Sequence, residues 1–384
     1  MEFLHLADLH IGKSVNGFSM LHEQKHAFAQ IIKYIQTKHP AAVVIAGDIY
    51  DRAVPGVEAV RLFDDFLTEL AGEDTAIMLI SGNHDSPERL NYASRLLTDK
   101  QVYLYTAFDG ALRKIVLTDA YGDVNFWLLP FIRPSCLREQ TGEPLAETYD
   151  DAIAMVLAAA NVDYAARNVL VAHQFFTKTD LTPARSESEL SPVGGLDAVN
   201  AELIESFDYA ALGHLHGMQP VEAPHIRYAG SPIKYSFSEW LQEKSVTLVN
   251  LQEKGTLTIT PLPLIPLHDM RQIRGTINAL MGDSQCRDPQ SPSPNDYLRV
   301  ILTDEEEIVD PMGKLRSVYP NIMSLAFENT RTSIHADTIT QAKTTDVLSP
   351  YDLFNEFFLD LHGATMSTAQ AEIVRELLER EEEP

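Results

Sequence analysis

Cysteine is almost missing from this 384-residue chain: Cys136 and Cys286 stand 150 positions apart, and neither lies in a CxxC or metal-ligand spacing. A disulfide framework or a structural zinc site is therefore not expected, and a reducing cytoplasm fits. No apolar run approaches the ~20 residues that span a bilayer. Met1-Glu2-Phe3-Leu4-His5 also lacks the basic and apolar regions of an export signal, so a cytoplasmic protein without a membrane is expected. Internal repeats are absent too. Basic charge is scarce: 30 Lys and Arg against 55 Asp and Glu leave a net charge of −25. Phosphate contacts need Lys and Arg, so tight binding of bare DNA without a partner is not expected. Two features weaken that exclusion. The segment from Asp352 to Pro384 holds nine acidic residues against Arg375 and Arg380 and so supplies −7 of the total. Divalent cations at a site would also neutralise it locally.

What is present is a set of five short polar segments, each closing an apolar run. They are Asp8-Leu9-His10, Gly47-Asp48-Ile49-Tyr50-Asp51, Gly82-Asn83-His84-Asp85, His173-Gln174 and Gly213-His214-Leu215-His216. The runs before them, Phe3–Ala7, Ala42–Ala46, Ala76–Ser81, Asn168–Ala172 and Tyr209–Leu212, read as buried strands. Their C-terminal ends are expected to meet at one edge of a sheet, where open α/β sheets place their sites. Oxygen and imidazole donors without sulfur suit manganese, iron or zinc. The pattern points to a dinuclear metal hydrolase.

Residues 1–265 alternate such strands with amphipathic helices at Glu23–Lys38, Val57–Leu70, Glu88–Thr98 and Tyr149–Ala160, an α/β layered pattern. Ile226–Ala229, Ser245–Leu251 and Thr256–Leu262 read as further strands, giving a second sheet packed on the first with helices outside. Leu262-Pro263-Leu264-Ile265-Pro266 predicts a stiff extended linker. A smaller β-α-β-α-β unit follows: strand Met270–Arg274, helix Thr276–Met281, strand Tyr297–Leu302, helix Val309–Val318 and strand Ile322–Phe327. Its 288–294 segment reads as a surface loop. A Thr-rich linker then leads to helices at Pro350–Phe358 and Thr368–Arg380, with Ser349 and Ser367 as N-caps.

Ligand spacing suggests roles. Asp8 and His10, two residues apart in extended chain, would point to the same side and reach one ion. His214 and His216 share that spacing and would each take a different ion. The two oxygens of Asp48 would bridge both ions, Gly47 allowing close backbone approach. Asn83 offers a neutral carbonyl, and His173 completes the set. A divalent pair about 3.5–4 Å apart stabilises charge on a phosphoryl oxygen. His84, expected to point away from the metals, would protonate a leaving oxygen or stabilise the transition state. The Asp51 carboxylate would orient it. Arg52 and Arg89 are further possible phosphate contacts. His22, His26, His39, His225, His268, His335 and His362 lack such company and read as ordinary.

On these five motifs the chain resembles the calcineurin-like metallophosphoesterase superfamily, and within it the SbcD-type nuclease family. Arg227-Tyr228-Ala229-Gly230-Ser231-Pro232 with Ser236-Phe237-Ser238-Glu239, the small α/β unit and Leu348-Ser349-Pro350-Tyr351-Asp352-Leu353-Phe354 carry the narrower likeness. Asp51-Arg52-Ala53 and Asn83-His84-Asp85 depart from the Ser/Thr phosphatase pattern. The resemblance implies a four-layer α-β-β-α sandwich at 1–265, a capping domain at 267–330 that presents DNA, a linker at 331–348 and C-terminal helices at 349–384. It implies one ion on Asp8, His10, Asp48 and His216 and the other on Asp48, Asn83, His173 and His214, with His84 acting on the leaving group. Two Mn2+ ions are expected, Mg2+ being a weaker substitute. The implied activity is the nuclease of an SbcCD-like DNA repair complex: ATP-dependent 3′→5′ exonuclease on duplex ends, and endonuclease on single strands and hairpins. The implied partners are DNA, an SbcC-like ABC ATPase on the C-terminal helices, and a second copy of the chain docking through Val57–Leu70 and Glu88–Thr98, where exposed Leu and Phe would support the contact. A small-nucleotide phosphodiesterase or phosphatase is the alternative, opposed by the cap and tail. A metal-bound scaffold is opposed by the complete ligand set.

Overall fold

The computed structural model describes residues 1–141, 146–178, 184–189, 197–283, 293–329 and 365–381, with Tyr351, Phe354, Asn355, Phe358 and Leu359. The chain forms two compact units, Met1–Met270 and Arg271–Pro384. In the first, the order is β1 (Glu2–Leu6), α1 (Leu21–Lys38), β2 (Ala42–Ala46), α2 (Val57–Gly72), β3 (Ala76–Ile80), β4 (Val102–Tyr105), β5 (Arg113–Asp119) and β6 (Gly122–Leu129). Then follow α3 (Tyr149–Ala160), β7 (Arg167–Ala172), β8 (Tyr209–Leu212), β9 (Gln219–Val221), β10 (Ala223–Tyr228), β11 (Ser245–Leu251) and β12 (Leu257–Pro263).

Two six-stranded sheets result, ordered β12-β11-β1-β2-β3-β4 and β9-β10-β8-β7-β6-β5. Each has four consecutive parallel strands, with antiparallel pairing at the β12-β11-β1 end of the first sheet and at both ends of the second. Parallel strands buried on both faces need apolar residues at every position, not at alternate ones. β2 shows the result: Val43 and Ile45 join the core under α1 and α2, whereas Ala42, Val44 and Ala46 pack between the sheets. β7 divides likewise, with Leu170 toward α3 and Val169 and Val171 between the sheets. The layers are thus helix, sheet, sheet, helix, the four-layer α/β architecture expected.

Three expectations are corrected. The five motif-bearing strands do not share a sheet: β1, β2 and β3 lie in one, β7 and β8 in the other. Ser245–Leu251 and its hairpin partner join the first sheet, Phe3 standing opposite Val249. β11 buries Val246 and Leu248 on one side and Val249 and Leu251 on the other, which suits a strand next to β1. The helix expected over Glu88–Thr98 breaks into Pro87–Leu90 and Ser94–Leu97. Ala93 has a left-handed φ of 60°, which interrupts the i→i−4 ladder. Leu90 faces the core while Tyr92 and Leu96 are exposed.

The proline-rich stretch after β12 is extended and fastened to α1. The Tyr34 hydroxyl donates to Pro263 O, Gln30 exchanges two hydrogen bonds with Ile265, and Glu23 accepts from Leu267 and His268 N–H. The second unit contains α4 (Ile277–Asp283), β14 (Tyr297–Leu302), α5 (Pro311–Arg316) and β15 (Ile322–Phe327), with β13 (Met270–Gly275) leading in. The sheet order is β13-β14-β15 over a core of Leu280, Leu298, Val300, Leu315 and Ile322. α5 is shorter than expected because Pro311 opens it, with the Asp310 carboxylate capping Gly313 N–H. α6 (Thr368–Glu381) starts at the expected Ser367, which shares reciprocal bonds with Gln370. The 331–348 linker, Ser349 and most of Pro350–Phe358 lie outside the described residues, as do Cys286 and the 288–292 part of the surface loop. Among the described residues, no helix is long and apolar enough to cross a membrane.

Candidate metal centre

The polar segments after β1, β2, β3, β7 and β8 converge where the C-terminal edges of the two sheets meet. The backbone stays hydrogen-bonded as it leaves the sheet: Asp8 N–H donates to Gly47 O at 3.1 Å and His10 N–H to Asp48 O at 2.9 Å. It is not extended there. Asp8, His10, Asp48 and His214 all have φ between 41° and 103°. Such values cost energy in non-glycine residues and persist where surrounding structure enforces them, commonly at functional sites. The shared aim of Asp8 and His10 therefore comes from left-handed turns, not from strand periodicity.

Glycines make room for the convergence. A Cβ on Gly47 would lie 2.6 Å from His173 Cγ, one on Gly213 2.6 Å from His173 Nδ1, and one on Gly82 2.7 Å from Asp48 Cγ. Asp85 ties two segments together, accepting from Ile49, Tyr50 and Gly82 N–H at 2.9–3.1 Å. Burial pushes its carboxyl up to about 6. Gly82→Ala is expected to displace Asp48, strip most bound metal and destabilise the fold by about 1–3 kcal/mol through overpacking. Metal analysis beside chemical denaturation checks this; unchanged metal content would contradict it.

Asp8, Asp48, His10, His173 and His216 are almost wholly buried. Three groups of their ligand atoms lie within 4.8 Å of one another: Asp8 with His10 and His216, Asp8 with Asp48 and His173, and His10 with Asp48 and His84. Asp48 Oδ2 lies 3.5 Å from His10 Nε2 and 3.3 Å from His173 Nε2. Its Oδ1 accepts His84 N–H at 2.9 Å, so one oxygen, not two, faces both neighbours. Asn83 Oδ1 is 3.2 Å from both His173 Nε2 and His214 Nδ1. His10 Nε2 and His216 Nε2 are 3.0 Å apart, and two such nitrogens need a proton or a cation between them. Asp8, His10 and Asp48 each recur in two of the three groups, and Asp48 Oδ2 stands between His10 and His173.

Electrostatics fit a cation. Burial lowers His10 and, with His173 nearby, brings His214 down to about 3, so both are neutral donors. Burial pushes Asp8 up to about 7. Burial would raise Asp48 also, but the charge and hydrogen bond of His173 hold it well below the usual carboxylate range. Conversely, burial would lower His173, yet Asp48 lifts it to about 9. Among the described residues no Lys or Arg pairs with Asp8 or Asp48. Two buried carboxylates answered only by imidazoles and backbone N–H groups are what a divalent cation requires.

His84 is half-buried at the mouth, its ring edge-on to His10 at 4.8 Å, so it lies against the cluster instead of pointing away. Its Nδ1 bonds the backbone carbonyl of Asp51 at 2.9 Å. The Asp51 carboxylate instead pairs with Lys13 at 2.7 Å and approaches His10 Nδ1 at 3.8 Å. The expected carboxylate–imidazole contact is replaced by a main-chain one. Arg52, 81% exposed, reaches Asp51 at 3.6 Å, and Arg89 is exposed on the short Pro87–Leu90 helix.

Several neighbours carry no signal of their own in the sequence. Gln24 holds Leu9 and His10 carbonyls and the Tyr235 hydroxyl. Arg185 stacks on Phe175 at 3.8 Å, and Phe175 faces His214. Ser188, Glu189, Glu239 and Lys244 surround His216. Of these, Gln24 lies in a segment that the sequence marks only as a helix and Glu239 in one marked for its family likeness, both without a role.

Comparison with known proteins agrees with this geometry. A family model described as calcineurin-like phosphoesterase matches residues 1–218, and one described as a type 5 capsule protein repressor C-terminal domain matches 266–360. The chain is 30% identical to the SbcD component of the SbcCD nuclease of Staphylococcus epidermidis over 98% of both chains. It is 29% identical to the protein of the same name from Staphylococcus saprophyticus, again over 98% of each.

Proposed function

This chain belongs to the calcineurin-like phosphoesterase family, and on that premise we propose that it is the nuclease subunit of an SbcCD-like DNA repair complex. It is a metal-dependent phosphodiester hydrolase. The observation that carries the reading is the buried Asp48 oxygen set between two groups of donors, with His84 beside them at the opening. One cation would rest on Asp8, His10, Asp48 and His216, the other on Asp48, Asn83, His173 and His214; manganese suits these oxygen and nitrogen donors, with magnesium a weaker substitute. Two such cations supply charge neutralisation for the phosphate and an activated water. The chain's own contribution is to hold the donors rigidly at strand ends and to place His84 where a leaving oxygen needs a proton. The backbone carbonyl of Asp51 accepts a hydrogen bond from Nδ1–H, which leaves Nε2 for substrate.

The finer reading is ATP-dependent 3′→5′ exonuclease action on duplex ends and endonuclease action on single strands and hairpins. An SbcC-like ATPase would dock on the helices of 349–384, and the 267–330 unit would present DNA. The near-complete alignment with components of SbcCD nucleases supports this over a small-nucleotide hydrolase. Net charge of −25 leaves much of the DNA affinity to the ATPase and to a dimer. For that dimer, Val57, Val60, Tyr92 and Leu96 are exposed, whereas Phe63 and Phe66 of α2 belong to the core. The test is cleavage of end-labelled duplex and hairpin DNA with added manganese, beside a chromogenic phosphodiester. Hydrolysis of both is expected, with duplex cleavage rising when ATPase and ATP are added. Hydrolysis of the small diester alone, even with the ATPase present, would favour a small-nucleotide enzyme.

A further inference from the structure

His216 is gripped at each of its polar atoms except one. Its N–H donates to Glu189 Oε1 at 2.7 Å. Its carbonyl accepts from Ser231 N–H at 3.0 Å and from Lys244 Nζ at 2.9 Å. Its Nδ1 lies 2.7 Å from Ser188 Oγ. The remaining atom, Nε2, faces His10. Ser188 Oγ is also 2.7 Å from Glu239 Oε1, and Glu239 Oε2 pairs with Lys244 at 2.7 Å. Glu239 is fully buried and Lys244 nearly so.

Proton counting gives this network a direction. A carboxylate paired with an ammonium only accepts, so the single Ser188 proton goes to Glu239. Ser188 then has only lone pairs to offer its other neighbours. Ser186 Oγ, 2.8 Å away, has a carboxylate acceptor of its own in Glu189 Oε1 at 3.0 Å, and Ser188 must accept from His216 Nδ1. His216 therefore carries its proton on Nδ1, and Nε2 presents a lone pair toward Asp8 and His10. The comparable nitrogens of His173 and His84 donate to backbone carbonyls, of Ala46 and Asp51. His216 depends instead on side chains: Ser188 Oγ at 2.7 Å, which substitution can remove, and, farther off, Glu239 Oε1 at 3.5 Å.

Building on the reading of His216 as a ligand, we propose that Ser188, oriented by Glu239, is a positioning residue of the metal centre. It fixes the His216 tautomer and ring so that Nε2 serves the cation on the Asp8–His10 side. A partner of this kind orients a ligating imidazole and raises its basicity, and its loss commonly costs about 10–100-fold in metal affinity.

Ser188→Ala in the full chain is therefore expected to weaken one of two manganese sites about 10–100-fold and leave the other nearly unchanged. Ser188→Thr, which keeps the hydroxyl, is expected to restore it. Glu239→Gln would leave the buried Lys244 ammonium unpaired and is expected to disrupt folding, so the test rests on Ser188. Two readouts decide it: calorimetric titration with manganese, and nitrogen-15 NMR of the His216 ring in metal-free protein. The expected spectrum shows Nδ1–H in wild type and a tautomer mixture in Ser188→Ala. An Nε2–H wild-type ring, or two sites of unchanged affinity in Ser188→Ala, overturns the proposal alone. Wild type that keeps the Nδ1–H ring but takes up no manganese overturns the metal-centre reading and the proposal with it.

Discussion

His84→Ala is expected to lower DNA cleavage about 10²–10⁴-fold, the usual contribution of a positioned proton donor, while both manganese ions stay bound. His84 is half-buried, and its Nδ1 is committed to the Asp51 carbonyl. That leaves Nε2 as the ring nitrogen for substrate. The proposed ligand sets close without it: Asp8, His10, Asp48 and His216 on one side, Asp48, Asn83, His173 and His214 on the other. A DNA alkoxide leaves poorly without a proton, whereas a nitrophenolate leaves readily. If His84 donates that proton, the variant loses far more activity on DNA than on a chromogenic nitrophenyl diester. Equal losses would mean that His84 stabilises charge in the transition state without giving up a proton. Release of both ions from the variant, measured by metal analysis after dialysis, would refute the assigned role altogether. The same contact implies that the Asp51 carboxylate is not what orients His84, since the main-chain oxygen does so.

The five polar segments of the candidate site are legible in the sequence for a physical reason. β1, β2, β3, β7 and β8 are buried on both faces, so each is largely apolar, His5 in β1 and Arg167 and Asn168 in β7 being buried exceptions, and an abrupt change to Asp, His or Asn marks where it ends. The same property hides the sheet assignment. A strand apolar on both sides carries no mark of its neighbours, so nothing in Ser245–Leu251 distinguishes pairing with β1 from pairing with β8. The hairpin of β5 and β6 is not among the expected strands, although Gly122, with φ of 100°, is a turn residue. Spacing arguments for Asp8–His10 and His214–His216 assume extended backbone. The actual left-handed turns bring the same side chains together by another route. Main-chain acceptors such as Asp51 O leave no residue signature at all. Ser188 lies far from every motif, and only folding brings it to His216.

Asp48→Ala is expected to lose at least one ion and with it DNA cleavage, because its Oδ2 lies 3.5 Å from His10 Nε2 and 3.3 Å from His173 Nε2, whereas Asp8 stands 4.0 Å from His173. Protons report the same event. In metal-free protein, Asp48 lifts His173 to about 9 against burial, while burial holds Asp8 near 7. A cation needs the bare Nε2 of His173 and the bare carboxylate of Asp8, so uptake near neutral pH must expel protons. Apparent manganese affinity should therefore climb as pH rises through 7 and level off above about 9. The stability term has the opposite sign. Because the folded His173 value lies above its ordinary 6.5, its pairing stabilises metal-free protein fully below 6.5 and fades as pH rises through about 9. The gain in Tm on adding manganese should thus grow with pH. In Asp48→Ala the largest raising partner is gone, and burial draws His173 down against the remaining pull of Asp8 and the Ala46 carbonyl. Any remaining metal uptake should then release fewer protons than in wild type. Calorimetry in buffers of different ionisation enthalpy measures that release directly. Wild-type affinity that stays flat between pH 6 and 8.5, or equal proton release from both proteins, would remove Asp48 and His173 from the proposed centre.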